Sequence, residues 1–294
     1  MNTDWGALLL AYLHDPPDKA LSIRGHVPRA RDNAKIAVGD HASKSVLEDA
    51  VSSADPLASI IERFPMPTAG DQGQRAVGAK NSQLEIAHPL SAVLRPLPVP
   101  ELTEHLTKSE QDQLRAVVED LTGETESVRN RLLAVWRLWS DALAANVHEC
   151  LALLPADTRT PDHSIWNHLD TTTAFKAALG GEGGPALLSF ALGPVQRFIE
   201  AARSMRDLWS GSMILSWLAF RAMLPVIEQF GPTALIYPVM RGIPLLDLWL
   251  RDAQRLGQKV PLPPVELRLT PSLPHRFLAL VPWGKNGERA RATS

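Results

Sequence analysis

Trp5-Gly6-Ala7-Leu8-Leu9-Leu10-Ala11-Tyr12-Leu13-His14-Asp15-Pro16-Pro17 is the stretch on which the reading of this chain turns. The apolar residues Trp5, Leu8, Leu9, Tyr12 and Leu13 recur at i, i+3, i+4, i+7 and i+8, the stripe of a helix packed on a core. Pro16-Pro17 stops that helix. His14 and Asp15 therefore fall in its C-terminal turn, at the edge of a polar loop.

Working outward, a second helical stretch is expected around residues 42–64, where Val46, Leu47, Val51, Leu57, Ile60 and Ile61 can share one face, with Pro56 near a join between two helices. Residues 65–100 carry Pro65, Pro67, Gly70, Gly73, Gly78, Pro89, Pro96, Pro98 and Pro100 and read as a long irregular insertion. Helix resumes over 109–121, and residues 128–154 place Leu132, Leu133, Val135, Trp136, Leu138, Trp139, Leu143 and Val147 over a wide arc, as expected of a central helix. The pattern stays helical to about 175–179. Gly180-Gly181-Glu182-Gly183-Gly184-Pro185 then reads as a flexible joint, dividing a domain over 1–180 from one over 185–294.

The second part has a different pattern. Residues 186–192 read as a buried strand, Gly193-Pro194 turns it into a helix carrying Val195, Phe198, Ile199 and Ala202, and a further helix spans about 212–229. Residues 233–240 and 275–282 read as strands joined by a proline-studded link, while the polar tail 283–294 supplies no element. Strand, helix, helix, strand, strand is the first half of a ferredoxin-like βαββαβ unit, so the fold class is α+β, with an incomplete ferredoxin-like domain after a mainly helical one.

With 294 residues and 45% hydrophobic content the chain can bury a core, which excludes disorder. Its net charge of -2 argues against a generally basic nucleic-acid coat. The charge is unevenly placed: 17 basic residues face 25 acidic ones before Gly193, and 13 face 7 from there on. The single cysteine, Cys150, forms no internal disulfide. With no signal-type leader and no apolar run of about 18 residues, a cytoplasmic location without a membrane anchor is expected.

Two constellations carry chemistry. His14-Asp15 presents a neutral imidazole and a carboxylate at one helix end, a pairing that can ligate a divalent transition metal or can simply cap the helix. His26 follows Gly25 in the next loop, Asp55 interrupts an apolar face, and His163 and His168 flank Trp166. An acid on a core-facing surface needs a partner. Asp40-His41 is a less persuasive second pair, and His88, His105, His148 and His275 read as ordinary histidines. A His/Asp set of this kind suits Mn, Ni, Co or Zn, with water activated for phosphodiester hydrolysis, or is the packed relic of such a site. In the second constellation, Gly193 and Gln196 sit at a strand-to-helix turn that can hold a nucleotide phosphate on free backbone N–H groups. The Walker Lys-Ser/Thr pair is missing, and a plain turn with an interface helix explains it equally well.

Several of these runs resemble one family. Leu13-His14-Asp15-Pro16-Pro17-Asp18-Lys19-Ala20-Leu21 with Gly25-His26, Ser53-Ala54-Asp55-Pro56-Leu57-Ala58-Ser59, and Ile86-Ala87-His88-Pro89-Leu90-Ser91 are similar to the N-terminus of the large subunit of type III-B CRISPR RNA-guided effector complexes, the Cmr module. So are Leu154-Pro155-Ala156-Asp157-Thr158-Arg159, the run from His163 to Leu169, and Gly193-Pro194-Val195-Gln196-Arg197-Phe198-Ile199 continuing through Arg203, Arg206, Trp209 and Ser216. The resemblance implies a circularly permuted, metal-dependent HD-type domain acting on single-stranded DNA in antiviral defence. It also implies that this site is often degenerate, and that the first of two palm domains follows. It implies His14 and Asp15 as the namesake catalytic pair, with His26, Asp55 and His168 completing the metal shell. ATP and cyclic oligoadenylate synthesis belong to a Gly-Gly-Asp-Asp loop in the second palm, which this sequence lacks. The implied partners are the other effector subunits, guide and target RNA indirectly, and single-stranded DNA. The rival expectation is a non-catalytic scaffold that docks on the guide-RNA complex.

Overall fold

A computed structural model describes residues 3–39, 44–62, 84–88, 91, 93–98, 103–119, 121, 125–157, 161–254 and 256–293. The chain divides into two compact units, Trp5–Lys176 and Ala177–Ser294, the second joined by Met1–Asp4.

The first unit is helical: α1 (Trp5–Tyr12), α2 (His26–Val38), α3 (Lys44–Val51), α4 (Ala54–Glu62), α5 (Glu104–Val118), α6 (Thr125–Asn146) and α7 (Ile165–Leu179), whose end passes into the second unit. Leu8 to Tyr12 are all buried, so α1 is enclosed on every side rather than amphipathic. It packs on α6, α2 and α3. In α6, Trp136 and Trp139 are fully buried, and Trp139 meets Trp166 of α7 edge to face at 5.6 Å, a contact contributing about 0.5–1.5 kcal/mol beyond area burial. The Trp166 indole N–H donates to Leu151 O at 2.9 Å, which satisfies its polar atom in the core.

As expected, Pro56 is near a join between two helices: α3 and α4 meet at Ser52-Ser53, and Pro56 lies in the first turn of α4, where a missing N–H costs nothing. Two expectations need correction here. Ile60 and Ile61 are exposed and Val46 is partly so; the buried face is Leu47, Ala50, Ala54 and Ala58, because small side chains let these short helices approach the core closely. Within residues 65–100 lies a two-stranded antiparallel hairpin, β1 (Glu85–Ala87) and β2 (Leu94–Pro96), with Ile86 opposite Arg95. Asp40 and His41 lie outside the described residues.

The second unit is mixed: β3 (Pro185–Ala191), α8 (Val195–Glu200), α9 (Met205–Phe230), β4 (Leu235–Tyr237), α10 (Pro244–Asp252), α11 (Val265–Arg268), β5 (Arg276–Pro282) and α12 (Glu288–Thr293). The sheet order is β3-β5-β4, antiparallel throughout, with Pro185 opposite Pro282 and Ala191 opposite Arg276. Phe190 and Phe277 stack across that ladder at 5.1 Å.

Here too the sequence pattern misled at specific points. β3 is an edge strand with alternating exposure, not a buried one. α9 begins at Met205 because Ser204 and Asp207 form a reciprocal cap: Ser204 Oγ accepts from Asp207 N at 3.2 Å and Asp207 Oδ2 from Arg203 N at 3.3 Å. The helix is 26 residues long and, by length and composition only, apolar enough to cross a membrane, although Ser210, Ser212, Ser216 and Arg221 interrupt the apolar run; its Ala219, Phe220, Met223, Val226, Ile227 and Phe230 are buried in the fold. The proline-studded link contains α10, since Pro244 occupies its first turn and starts rather than breaks it. The polar tail forms α12. The glycine joint is packed: Gly183 and Gly184 have φ of +84° and +76°, Gly184 O accepts from Trp283 N at 2.9 Å, and the Trp283 ring lies over Gly183.

Candidate metal centre

Three segments of the helical unit converge on one buried point. The Pro16-Pro17 stop leaves His14 two residues beyond the end of α1, where its Nδ1 donates to Ala11 O at 2.7 Å and its Nε2 is buried. Asp55 sits in the first turn of α4, where helix-end N–H groups favour a carboxylate. It also accepts from Ser59 Oγ at 3.3 Å. His168 stands in the first turn of α7, whose start is fixed by Ser164 and Asn167: Ser164 N donates to Asn167 Oδ1 at 3.1 Å, and Asn167 N to Ser164 Oγ at 3.4 Å.

The ligand atoms of His14, Asp55 and His168 all lie within 4.8 Å of one another. Asp55 Oδ1 is 4.0 Å from His14 Nε2 and 3.3 Å from His168 Nε2, and the two imidazoles are 5.2 Å apart. Neither Nε2 has a hydrogen-bond partner among the described residues, although both are buried. A buried imidazole nitrogen without a partner is costly. Two such atoms aimed at one carboxylate are what a divalent cation would satisfy, so the residues present fit a metal. Each ring's other nitrogen is already bonded, the arrangement that orients metal-ligating histidines.

Asp15 and His26 are placed beside this trio rather than in it. Asp15 Oδ2 is 3.4 Å from His14 Nε2 and 3.6 Å from His168 Nε2, but it is held by a short contact from Lys19 Nζ. Lys19 is a partner the sequence reading missed; its i+4 spacing from Asp15 was the available signal. His26 Nδ1 bonds Ile23 O at 2.6 Å and its Nε2 is 3.8 Å from Asp15 Oδ1, one layer out from the cluster. Glu62 was also missed. It accepts from His168 Nδ1 at 2.7 Å and lies 3.6 Å from His163 Nε2.

The electrostatics suit cation binding at two of the three ligands. Burial pushes the His14 imidazole below its ordinary pKa, against the pull of Asp15 and Asp55. Burial works against the Asp55 carboxylate, but His168, His14 and Lys19 outweigh it and hold Asp55 well below the usual range. Asp15 is also held low, burial being overcome by His14 and Lys19. His168 goes the other way: burial is outweighed by Asp55 and Glu62, and its pKa is raised to about 9.

Gly193 and Gln196 lie in the second unit. α8 has only six residues and no side-chain cap, and the Gln196 amide donates to Glu200 Oε1 at 2.9 Å. A Cβ on Gly193 would meet nothing within 4 Å.

The fold is mainly helical α+β and carries, among the described residues, a buried His/Asp/His cluster capable of coordinating a divalent metal. Residues 187–293 match the family described as CRISPR-associated protein Cmr2, N-terminal. The CRISPR system Cmr subunit Cmr2 of Pyrococcus furiosus is 30% identical over 96% of this chain and 35% of its own length. The Cmr2 subunit of Saccharolobus solfataricus is 28% identical over 79% of this chain and 23% of its own length. Among solved structures, a type III-B Cmr-beta complex in the apo state contains a chain superposing with a TM-score of 0.64 at 21% identity, over 98% of this chain and 30% of that one. A chain of Cmr-beta bound to cognate target RNA gives 0.61 at 22% identity, over 93% of this chain and 28% of that one. This chain is an N-terminal portion of a Cmr2-like large subunit of a type III-B CRISPR effector complex. It spans about a third or less of the length of the relatives it matches.

Proposed function

We propose that residues 1–180 form a permuted HD-type domain that hydrolyses phosphodiester bonds in single-stranded DNA with a bound divalent metal (Mn, Ni, Co or Zn), and that residues 185–294 form the first palm domain. The observation that carries the catalytic reading is the pair of partnerless Nε2 atoms, on His14 and His168, facing Asp55. His14, Asp55 and His168 would hold the metal. A metal there supplies Lewis acidity toward a phosphoryl oxygen and lowers the pKa of water. Asp15, kept anionic by His14 and Lys19, places a carboxylate at the edge of the cluster to orient the proton-bearing partner. The β3-β5-β4 order, with β5 between two strands that run parallel to each other, supports the palm assignment because a split βαβ unit has that arrangement.

In this reading the chain acts in antiviral defence within a cytoplasmic assembly of other effector subunits, touching guide and target RNA through them. It makes no cyclic oligoadenylate by itself, ATP being used only in the full-length subunit. The test is Mn-dependent cleavage of single-stranded DNA by the purified chain. His14→Ala with Asp55→Ala should remove both metal and cleavage while the far-UV spectrum is kept; cleavage unchanged in the double variant would overturn the reading.

One observation favours the alternative, a scaffold with a degenerate site. His168 holds its proton up to about pH 9, and a metal must displace that proton. Under this alternative the double variant still joins the complex, whereas charge reversal of the exposed Arg203 or Arg206 to Glu disrupts assembly; normal co-purification of those reversals would count against it.

A further inference from the structure

Glu62 ends α4 as a buried acid, its side chain 10% exposed, with one oxygen, Oε1, lacking any partner among the described residues. Its other oxygen accepts from His168 Nδ1 at 2.7 Å and lies 3.6 Å from His163 Nε2, while His163 Nδ1 is bonded to Asp162 Oδ1 at 2.7 Å. Asp55 and Glu62 are seven residues apart, nearly two full helical turns, so they share a face of α4. Asp55 Oδ1 lies 3.3 Å from Nε2 of the His168 imidazole, and Glu62 accepts from its Nδ1.

We propose that Glu62 is the positioning residue of the metal centre: by accepting the Nδ1–H of His168 it fixes the ring orientation that aims Nε2 at His14 and Asp55, and His163 holds Glu62 in place from behind. The inference rests on the metal-site reading given above. Glu62 is not itself a ligand, because it meets the imidazole on the edge opposite the cluster. Nor is a plain buried ion pair a sufficient description. The χ2 torsion of histidine is broad and roughly two-fold, so a ring with an equally good partner in either orientation would present carbon to the cluster part of the time. A carboxylate on one edge removes that freedom. A carboxylate or carbonyl in this position typically changes metal affinity by about 10–100-fold.

The experiment uses the full chain labelled with 15N-histidine. In the metal-free protein His168 should show a downfield, slowly exchanging Nδ1–H resonance. Glu62→Ala and the acceptor-free, similarly sized Glu62→Met should lose it and bind Mn about 10–100-fold more weakly by calorimetry. Glu62→Gln, whose amide oxygen still accepts, should keep the resonance and most of the affinity. Either acceptor-free variant, once shown to be folded, suffices. Retention of the resonance or of unsubstituted Mn affinity in that variant overturns the proposal, as does equal loss in Glu62→Gln. If the unsubstituted chain binds no Mn, the functional reading fails and the Nδ1–H resonance alone decides the positioning role.

Discussion

Asp55 and Glu62, seven residues apart on α4, close on opposite edges of one imidazole: Asp55 Oδ1 lies 3.3 Å from His168 Nε2 and Glu62 Oε2 lies 2.7 Å from His168 Nδ1. A single short helix thus supplies both a candidate ligand and the acceptor on the far edge of the next one. The other ligand, His14, is aimed differently, by a carbonyl of its own helix end, Ala11 O. Both devices turn a buried Nε2 toward Asp55, and neither Nε2 has a hydrogen bond among the described residues.

A bound cation should therefore act as a stabiliser as well as a cofactor. With free Mn at about 100 times its dissociation constant, the chain should gain about 2.7 kcal/mol against unfolding. The gain should disappear in Asp55→Asn and on chelation. A thermal midpoint that ignores Mn in the unsubstituted chain would remove the metal centre from consideration.

Lys19→Met isolates a second contribution. Asp15 is 3% exposed and Lys19 Nζ is its short-range cation. Taking away one partner of a buried pair typically costs about 3–5 kcal/mol, and because the Lys19 side chain is 23% exposed the lower end is expected here. Urea unfolding measures it. Part of the loss should return with Mn, whose charge lies close to the same carboxylate; a variant as stable as its parent would show that solvent already neutralises Asp15.

Much of this centre was legible in the sequence, for local reasons. Pro16-Pro17 announces a helix stop and so strands His14 at a helix end, while Asp55 stands out as an acid among apolar neighbours. His168 was marked only loosely, as one of two histidines flanking Trp166; the reciprocal cap of Ser164 and Asn167 that fixes its height on α7 was not read. Glu62 was not read at all, since its partners at positions 163 and 168 are about a hundred residues away and no periodicity encodes that separation. In the second unit the mixed fold class and strand positions were readable, but α10 (Pro244–Asp252) was not, because it lies inside what read as a plain link between two strands. The glycines at 183 and 184 were taken for a loose joint, although Trp283, invisible from their own neighbourhood, packs on them.

That packing separates Gly183 from Gly193. At Gly183, φ is +84° and an added Cβ would lie 2.6 Å from Trp283 Cδ1, so Gly183→Ala should cost at least about 1 kcal/mol and perturb the Trp283 fluorescence. At Gly193 nothing lies within 4 Å, and Gly193→Ala should stay within about 0.5 kcal/mol of the parent. Chemical denaturation of the two variants tests this. Equal effects would mean that the Trp283 lid does not hold the glycines.

Glu110 offers a pH signature far from any ligand. It is 2% exposed on α5, its Oε1 has no partner among the described residues, and burial, reinforced by the nearby Asp18 carboxyl and opposed by Arg29, pushes its pKa well above the ordinary value. The folded state then keeps a proton that the unfolded state has released, so between the ordinary carboxyl pKa and the raised one the folded state binds more protons. Stability is consequently full below the unfolded pKa and is lost as pH rises through the folded one, at up to about 1.4 kcal/mol per pH unit. Glu110→Gln mimics the protonated side chain and has nothing to release. The variant should match the parent in acid, exceed it at neutral pH, and show a flatter stability profile between; urea midpoints taken across that window read the difference. A variant that is less stable than its parent at neutral pH would mean that Glu110 is ionised in the fold and that Arg29, already bonded to Asp18 at 3.0 Å, serves both acids.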